Sequence, residues 1–107
     1  MDEPGRRLGG VGTRKLLDND RVTIWEMVLA PGERSPVHRH DHDYVLVQLK
    51  GDRIAVEPEP DSQGPHRSYM EAPVVEGGAF FVRKGGVETA LNVGRSEYRE
   101  VLIELKD

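Results

Sequence analysis

The sequence predicts an all-β domain, either a sandwich or a closed barrel. Three observations carry this. Glycine (12 residues) and proline (7 residues) punctuate the chain at short intervals, the rhythm of strands separated by turns. Two segments, RVTIWEMVLA at 21–30 and EYREVLIEL at 97–105, follow the two-residue period of a strand. No segment sustains the 3.6-residue period of a helix.

The elements follow in order. Residues 1–12 are polar and glycine-rich and read as a loose N-terminal arm; residues 13–107 read as a single domain. TRKLL at 13–17 is a first strand, with Asp18-Asn19-Asp20 as its turn. In the next strand, 21–30, Val22, Ile24 and Glu26 share one face and Thr23, Trp25, Met27 and Leu29 the other. Pro31-Gly32 closes it. DYVLVQLK at 43–50 is rich in strand formers, and Gly51-Asp52 predicts a hairpin into RIAVE at 53–57. Three prolines and a glycine make 58–66 an exposed loop. Residues 67–75 form a strand confined to an edge near Pro73. Gly77-Gly78 turns into AFFVR at 79–83, and Lys84-Gly85-Gly86 into VETALNV at 87–93. In the last strand, 97–105, Tyr98, Glu100, Leu102 and Glu104 share a face.

Composition excludes several functions. A chain of 107 residues makes one domain. The formal net charge is −4 and no basic cluster exceeds Arg6-Arg7, which argues against nucleic acid or an anionic membrane as partner. The absence of cysteine excludes disulfides, thiolate metal sites and a cysteine nucleophile. The N-terminus lacks the apolar core of a signal peptide, and no apolar run approaches the roughly 20 residues that span a bilayer. The expectation is a soluble, cytoplasmic protein. No serine sits in a nucleophile elbow, and no glycine-rich loop opens a helix to hold a nucleotide phosphate.

The chemistry concentrates in SPVHRHDHDYVLVQLKG, residues 35–51. Gly32, five residues, His38, one residue, His40, three residues, Tyr44, six residues and Gly51 together resemble the first motif of the cupin family, which has glutamate where this chain has Tyr44. Gly78, five residues, then Lys84, Gly85, Gly86, two residues, Thr89 and then Asn92 resemble the second. There the family has proline for Lys84 and histidine for Thr89, and its asparagine comes one residue later. The resemblance covers residues 13–106. It implies a double-stranded β-helix, or jelly-roll barrel, with a ligand pocket inside and commonly a homodimer. It also implies a metal held by two histidines and a glutamate of the first motif and a histidine of the second. By position, only His38 and His40 carry over as metal ligands.

On a strand, residues two apart point the same way, so the two imidazoles can converge on one ion. Imidazole suits zinc, iron, nickel or manganese. Asp41 and Asp43 have the wrong parity to join them. His42 reads as an exposed turn residue. Tyr44 is a poor ligand except under a strongly acidic metal, and Glu88 faces out if Thr89 faces in. Three arrangements therefore stay open: a divalent metal on a reduced ligand set, a metal-free hydrogen-bonded cluster of His38, His40, Tyr44, Thr89 and Asn92, or a filled barrel with no pocket. Trp25 and Met27 read as core, with either able to line the pocket. Phe80, Phe81 and Tyr69 read as core or interface. Tyr98 could face a partner subunit, the charges from Glu97 to Glu104 read as a solvated face, and His66 as surface.

Two functions follow. One is a domain binding a small polar molecule through Tyr44, Thr89, Trp25, Met27 and Asn92. The other is a metal-dependent enzyme of oxygenase or isomerase type, with a divalent ion on His38 and His40.

Overall fold

The computed structural model describes residues 7–107. They form nine strands: β1 (Arg14–Asp18), β2 (Val22–Leu29), β3 (His38–Arg39), β4 (Tyr44–Lys50), β5 (Arg53–Pro58), β6 (Met70–Pro73), β7 (Ala79–Val82), β8 (Val87–Asn92) and β9 (Tyr98–Leu105). A five-stranded sheet runs in the order β1-β2-β9-β4-β7, and a four-stranded sheet in the order β3-β8-β5-β6. Every strand pairing is antiparallel. The two layers enclose the interior expected of the jelly-roll barrel. No helix among the described residues is long and apolar enough to cross a membrane.

The alternation read from the sequence survives folding. In β2, Thr23, Met27 and Leu29 are buried while the residues between them are half-buried. Asn19 caps the β1–β2 turn, its Oδ1 accepting from the Arg21 and Val22 amides at 2.8 and 2.9 Å. Met27, Leu29, Ile54 and Tyr98 form one apolar cluster, and Val11, Tyr44 and Leu102 another. Of the arm expected over residues 1–12, residues 1–6 lie outside the described residues. The remainder packs on the barrel: the Gly9 amide donates to the Val37 carbonyl at 2.7 Å, and Val11 is buried against Tyr44 and Leu102.

Two features depart from the elements read off the sequence. Gly51-Asp52 does not close a hairpin, because β4 pairs with β7 and β9 while β5 pairs with β6 and β8. The turn carries the chain from one sheet to the other. Gly51 has φ +146°, unlike the pair of left-handed residues a tight hairpin needs. A Cβ there would also lie 2.9 Å from the Tyr98 ring, so the corner is packed against the interior. Second, β3 is a strand of two residues, too short for any periodicity to announce, yet it pairs with β8 and carries the motif histidine.

Candidate metal centre and ligand cavity

The site follows from the β3–β8 register. His38 lies opposite Glu88 and Arg39 opposite Val87. The pairing continues past the strand, with the His40 amide donating to the Gly86 carbonyl and the Gly85 amide to the His40 carbonyl, both at 2.8 Å. His38, His40 and Glu88 therefore share one face of the sheet, and Gly86 occupies the fourth place. The missing side chain matters, since a Cβ at Gly86 would lie 2.8 Å from Glu88 Oε1 and 3.6 Å from the His40 ring. The two imidazoles meet edge to face with centroids 4.9 Å apart. His40 stacks on Tyr44 at 4.2 Å, and its Nε2 lies 3.5 Å from Glu88 Oε2.

One ligand atom from each of His38, His40 and Glu88 lies within 4.8 Å of the others, and all three side chains are buried. His38 Nδ1 lies 3.0 Å from the Pro36 carbonyl. Donating its proton there leaves Nε2 with the lone pair. Burial, with the charge of His40, pushes the His38 imidazole down to about 4, so it is neutral at pH 7. Burial pushes Glu88 up, but its hydrogen bond to His40 and the charges of His40, His38 and His66 outweigh this and leave its carboxyl lowered. Among the described residues, His40 Nδ1 is the buried side-chain atom without a hydrogen-bond partner. Two imidazoles, one of them held neutral, a carboxylate with a lowered pKa, an orphaned ring nitrogen and a place kept clear of a side chain fit a divalent cation. Three protein ligands leave coordination positions open for another molecule.

The cluster lines a cavity of about 360 Å³, at the small end of ligand pockets, about 300–1,000 Å³. Met27, Leu46, Ile54, Val56 and Leu102 supply apolar wall, and Phe80 and Phe81 also line it. The phenol of Tyr44 is driven far above its usual range by burial and by the charges of Glu88 and Glu100, and so stays protonated.

The residues singled out from the sequence fall into two groups. His38, His40, Tyr44 and Met27 line the cavity together. Trp25, Thr89 and Asn92 do not. Trp25 is half-buried against the second apolar cluster and donates from Nε1 to Glu104 at 2.8 Å. Thr89 is buried, but strand alternation turns it away from Glu88. Asn92 has no solvent exposure and spends its amide on structure: Nδ2 donates to the Leu29 and Ser96 carbonyls, and Oδ1 accepts from the Gly94 amide, each at 2.9 Å.

Other placements overturn expectations. Glu88 faces in, not out. Counting the second motif forward from Gly78 reaches Thr89. Counting the family spacing back from Asn92 reaches Glu88, and that was the available signal. His42 is half-buried and away from the cavity, whereas His66, expected on the surface, lines it. Tyr98, Glu100 and Glu104 are buried inward at 1%, 6% and 8% exposure, so the charged face of the last strand is interior, and Tyr98 faces no partner subunit. Phe80, Phe81 and Tyr69 are exposed rather than core.

Comparison with known proteins agrees with this fold. A family profile described as "Auxin binding protein" matches residues 11–106. The chain is similar to Beta-alanine degradation protein BauB of Pseudomonas aeruginosa, 39% identical over 84% of this chain and 87% of that protein. It is similar to Auxin-binding protein T85 of Nicotiana tabacum, 30% identical over 77% of this chain but only 44% of the tobacco protein. Among solved structures, a cupin domain from Bordetella pertussis Tohama I superposes with a TM-score of 0.72 at 27% identity, covering 95% of this chain and 98% of that one. The profile spans all nine strands and both motifs, and this chain therefore belongs to the auxin binding protein family, as a small all-β cupin domain.

Proposed function

We propose that this domain binds a small carboxylate-bearing molecule in the barrel cavity, through a divalent ion held by His38, His40 and Glu88. The observation that carries the reading is the meeting of three ligand atoms within 4.8 Å of one another on the wall of the cavity. The ion would supply positive charge and open coordination positions for an anionic oxygen. The chain supplies the rest. Pro36 fixes the His38 tautomer, Tyr44 holds the His40 ring by stacking and keeps a phenolic proton to donate, and the apolar walls exclude water. The relatives' names point the same way, since auxin and β-alanine are both small carboxylic acids.

Metal analysis of the untagged protein tests this. About one equivalent of zinc, iron, nickel or manganese, lost in the His38→Ala, His40→Ala double variant and weakened in Glu88→Gln, supports the reading. Protein that takes up no metal on reconstitution refutes it.

The enzyme reading has one observation in its favour, the open positions on a two-histidine, one-carboxylate set. Turnover that disappears with the same substitutions would establish it.

We propose further that two copies pair through the outer face of the five-stranded sheet. Ile24, Ile103 and Val45 stand in register across β2, β9 and β4 of that sheet, and alternation turns them away from the cavity. Ile103→Lys should convert a dimer to a monomer in sedimentation; an unchanged mass would refute the face.

A further inference from the structure

The cavity holds a second polar cluster on the opposite wall. Glu100 and Tyr98 stand on β9 and Gln48 on the neighbouring β4, and all three line the cavity. Tyr98 donates its hydroxyl proton to Glu100 Oε1. Gln48 Nε2 donates to the Tyr98 oxygen at 3.4 Å, and Gln48 is itself fixed by the Val75 amide, which donates to its Oε1 at 2.9 Å. The Tyr98 hydroxyl is the hydrogen-bond partner shown for this carboxyl, and it sits on Oε1. A carboxyl at 6% exposure on a cavity wall, with no cationic partner among the described residues lining that cavity, is expensive to keep for packing alone.

The charges around it define what it would receive. No lysine or arginine lines the cavity among the described residues. The charged and titratable groups that reach Glu100 are Tyr98 on its own strand, Tyr44 on β4 and Glu88 across the barrel. Met27, its partner on β2, is apolar. A cation in this part of the cavity meets carboxylates and phenols and nothing that repels it. At the other wall, a metal ion on His38, His40 and Glu88 would repel a cation and attract an anion.

We propose that Gln48, Tyr98 and Glu100 form an amine-recognition subsite, so that the ligand of this cavity is a small amino acid whose amino group lies at Glu100 and whose carboxylate lies toward His38, His40 and Glu88. The carboxylate half rests on the metal-site reading; the amine half stands on the Glu100 wall alone. Glu100 Oε2 accepts from the ammonium, and Leu46, Val56 and Leu102 cover the short carbon chain between the two ends. Burial holds the Glu100 carboxyl up at about 7, so an arriving ammonium would displace its proton, and binding at pH 7 should release protons to the buffer.

The test is calorimetric titration of the full chain with propanoate, propylamine and the straight-chain ω-amino acids of three to six carbons, with and without zinc. At least one amino acid should bind the zinc-loaded protein at least about tenfold more tightly than propanoate, the gain expected of a charge-assisted hydrogen bond. Propylamine should bind with or without zinc. Glu100→Gln is nearly isosteric and turns a donor toward the ammonium, so it should remove the amine preference and the proton release while leaving zinc and propanoate affinity unchanged. Tyr98→Phe should weaken the amine preference less. Glu88→Gln should weaken zinc and propanoate but spare propylamine. An amine preference that survives Glu100→Gln, or none in the parent protein, overturns the subsite even if zinc binds. Failure of zinc binding with propylamine binding intact overturns the metal reading instead.

Discussion

Replacing Glu100 by glutamine should change how stability depends on pH, by an amount the structure sets. Burial raises this carboxyl from 4.5 to about 7 in the folded state, against a lowering hydrogen bond from Tyr98. A raised folded value means that the folded state prefers the protonated form. Its contribution is complete below about 4.5 and is lost as pH climbs to about 7. The interval corresponds to about 3 kcal/mol at 1.36 kcal/mol per pH unit. Somewhat under 1 kcal/mol of this is already gone at pH 5, so about 2–3 kcal/mol separates pH 5 from pH 8. His38 acts in the opposite sense. Its folded value is depressed to about 4, so its contribution is gained as pH rises toward 6.5, and in the parent protein the two slopes largely cancel. Urea unfolding with a chelator present, from pH 5 to pH 8, should show a nearly flat profile for the parent and a rising one for Glu100→Gln. The gap between them should widen by about 2–3 kcal/mol. A constant offset reflects only the substitution itself. Parallel profiles would refute the burial argument, because they would mean Glu100 titrates alike in folded and unfolded chains.

Other expected outcomes test different parts of the account. Gly86→Ala places a methyl 2.8 Å from Glu88 Oε1; calorimetry should show zinc affinity reduced about 10–100-fold, while metal-free stability moves by less than about 1 kcal/mol. Asn92→Ala strands the Leu29 and Ser96 carbonyls and the Gly94 amide, and should lower the unfolding free energy by about 2–4 kcal/mol with no change in zinc affinity. Gly51→Ala forces a side chain to φ +146° and 2.9 Å from the Tyr98 ring. A loss of about 1–3 kcal/mol, with an altered tyrosine signal in near-ultraviolet circular dichroism, is expected.

Strand positions were legible because a half-buried strand writes its alternation into the sequence, as β2 and β9 do. Sheet assignment was not. Gly51-Asp52 offers the same residue types to a hairpin and to a corner, and only the pairing of β4 with β7 and β9 decides. At the site, His38 and His40 announced themselves by spacing, but Glu88 depended on which end of the second motif was counted from. The last strand misled for a physical reason. Charged residues on one face ordinarily mean solvent, yet this face turns inward: Glu100 lines the cavity, Glu104 is buried and accepts from Trp25 Nε1, and the apolar Val101 and Ile103 point away. His66 is brought to the cavity by a loop path that no local pattern encodes.

The division of labour between the two sheets has a mechanical consequence. His38, His40 and Glu88 stand on the four-stranded layer, while Gln48, Tyr98 and Glu100 stand on the five-stranded one, and no ladder joins the layers. A guest that grips both walls is a rivet through two plates. Its arrival would damp the breathing of the whole barrel, and amide hydrogens should slow their exchange in β8 and β9 together, though the two strands belong to different sheets.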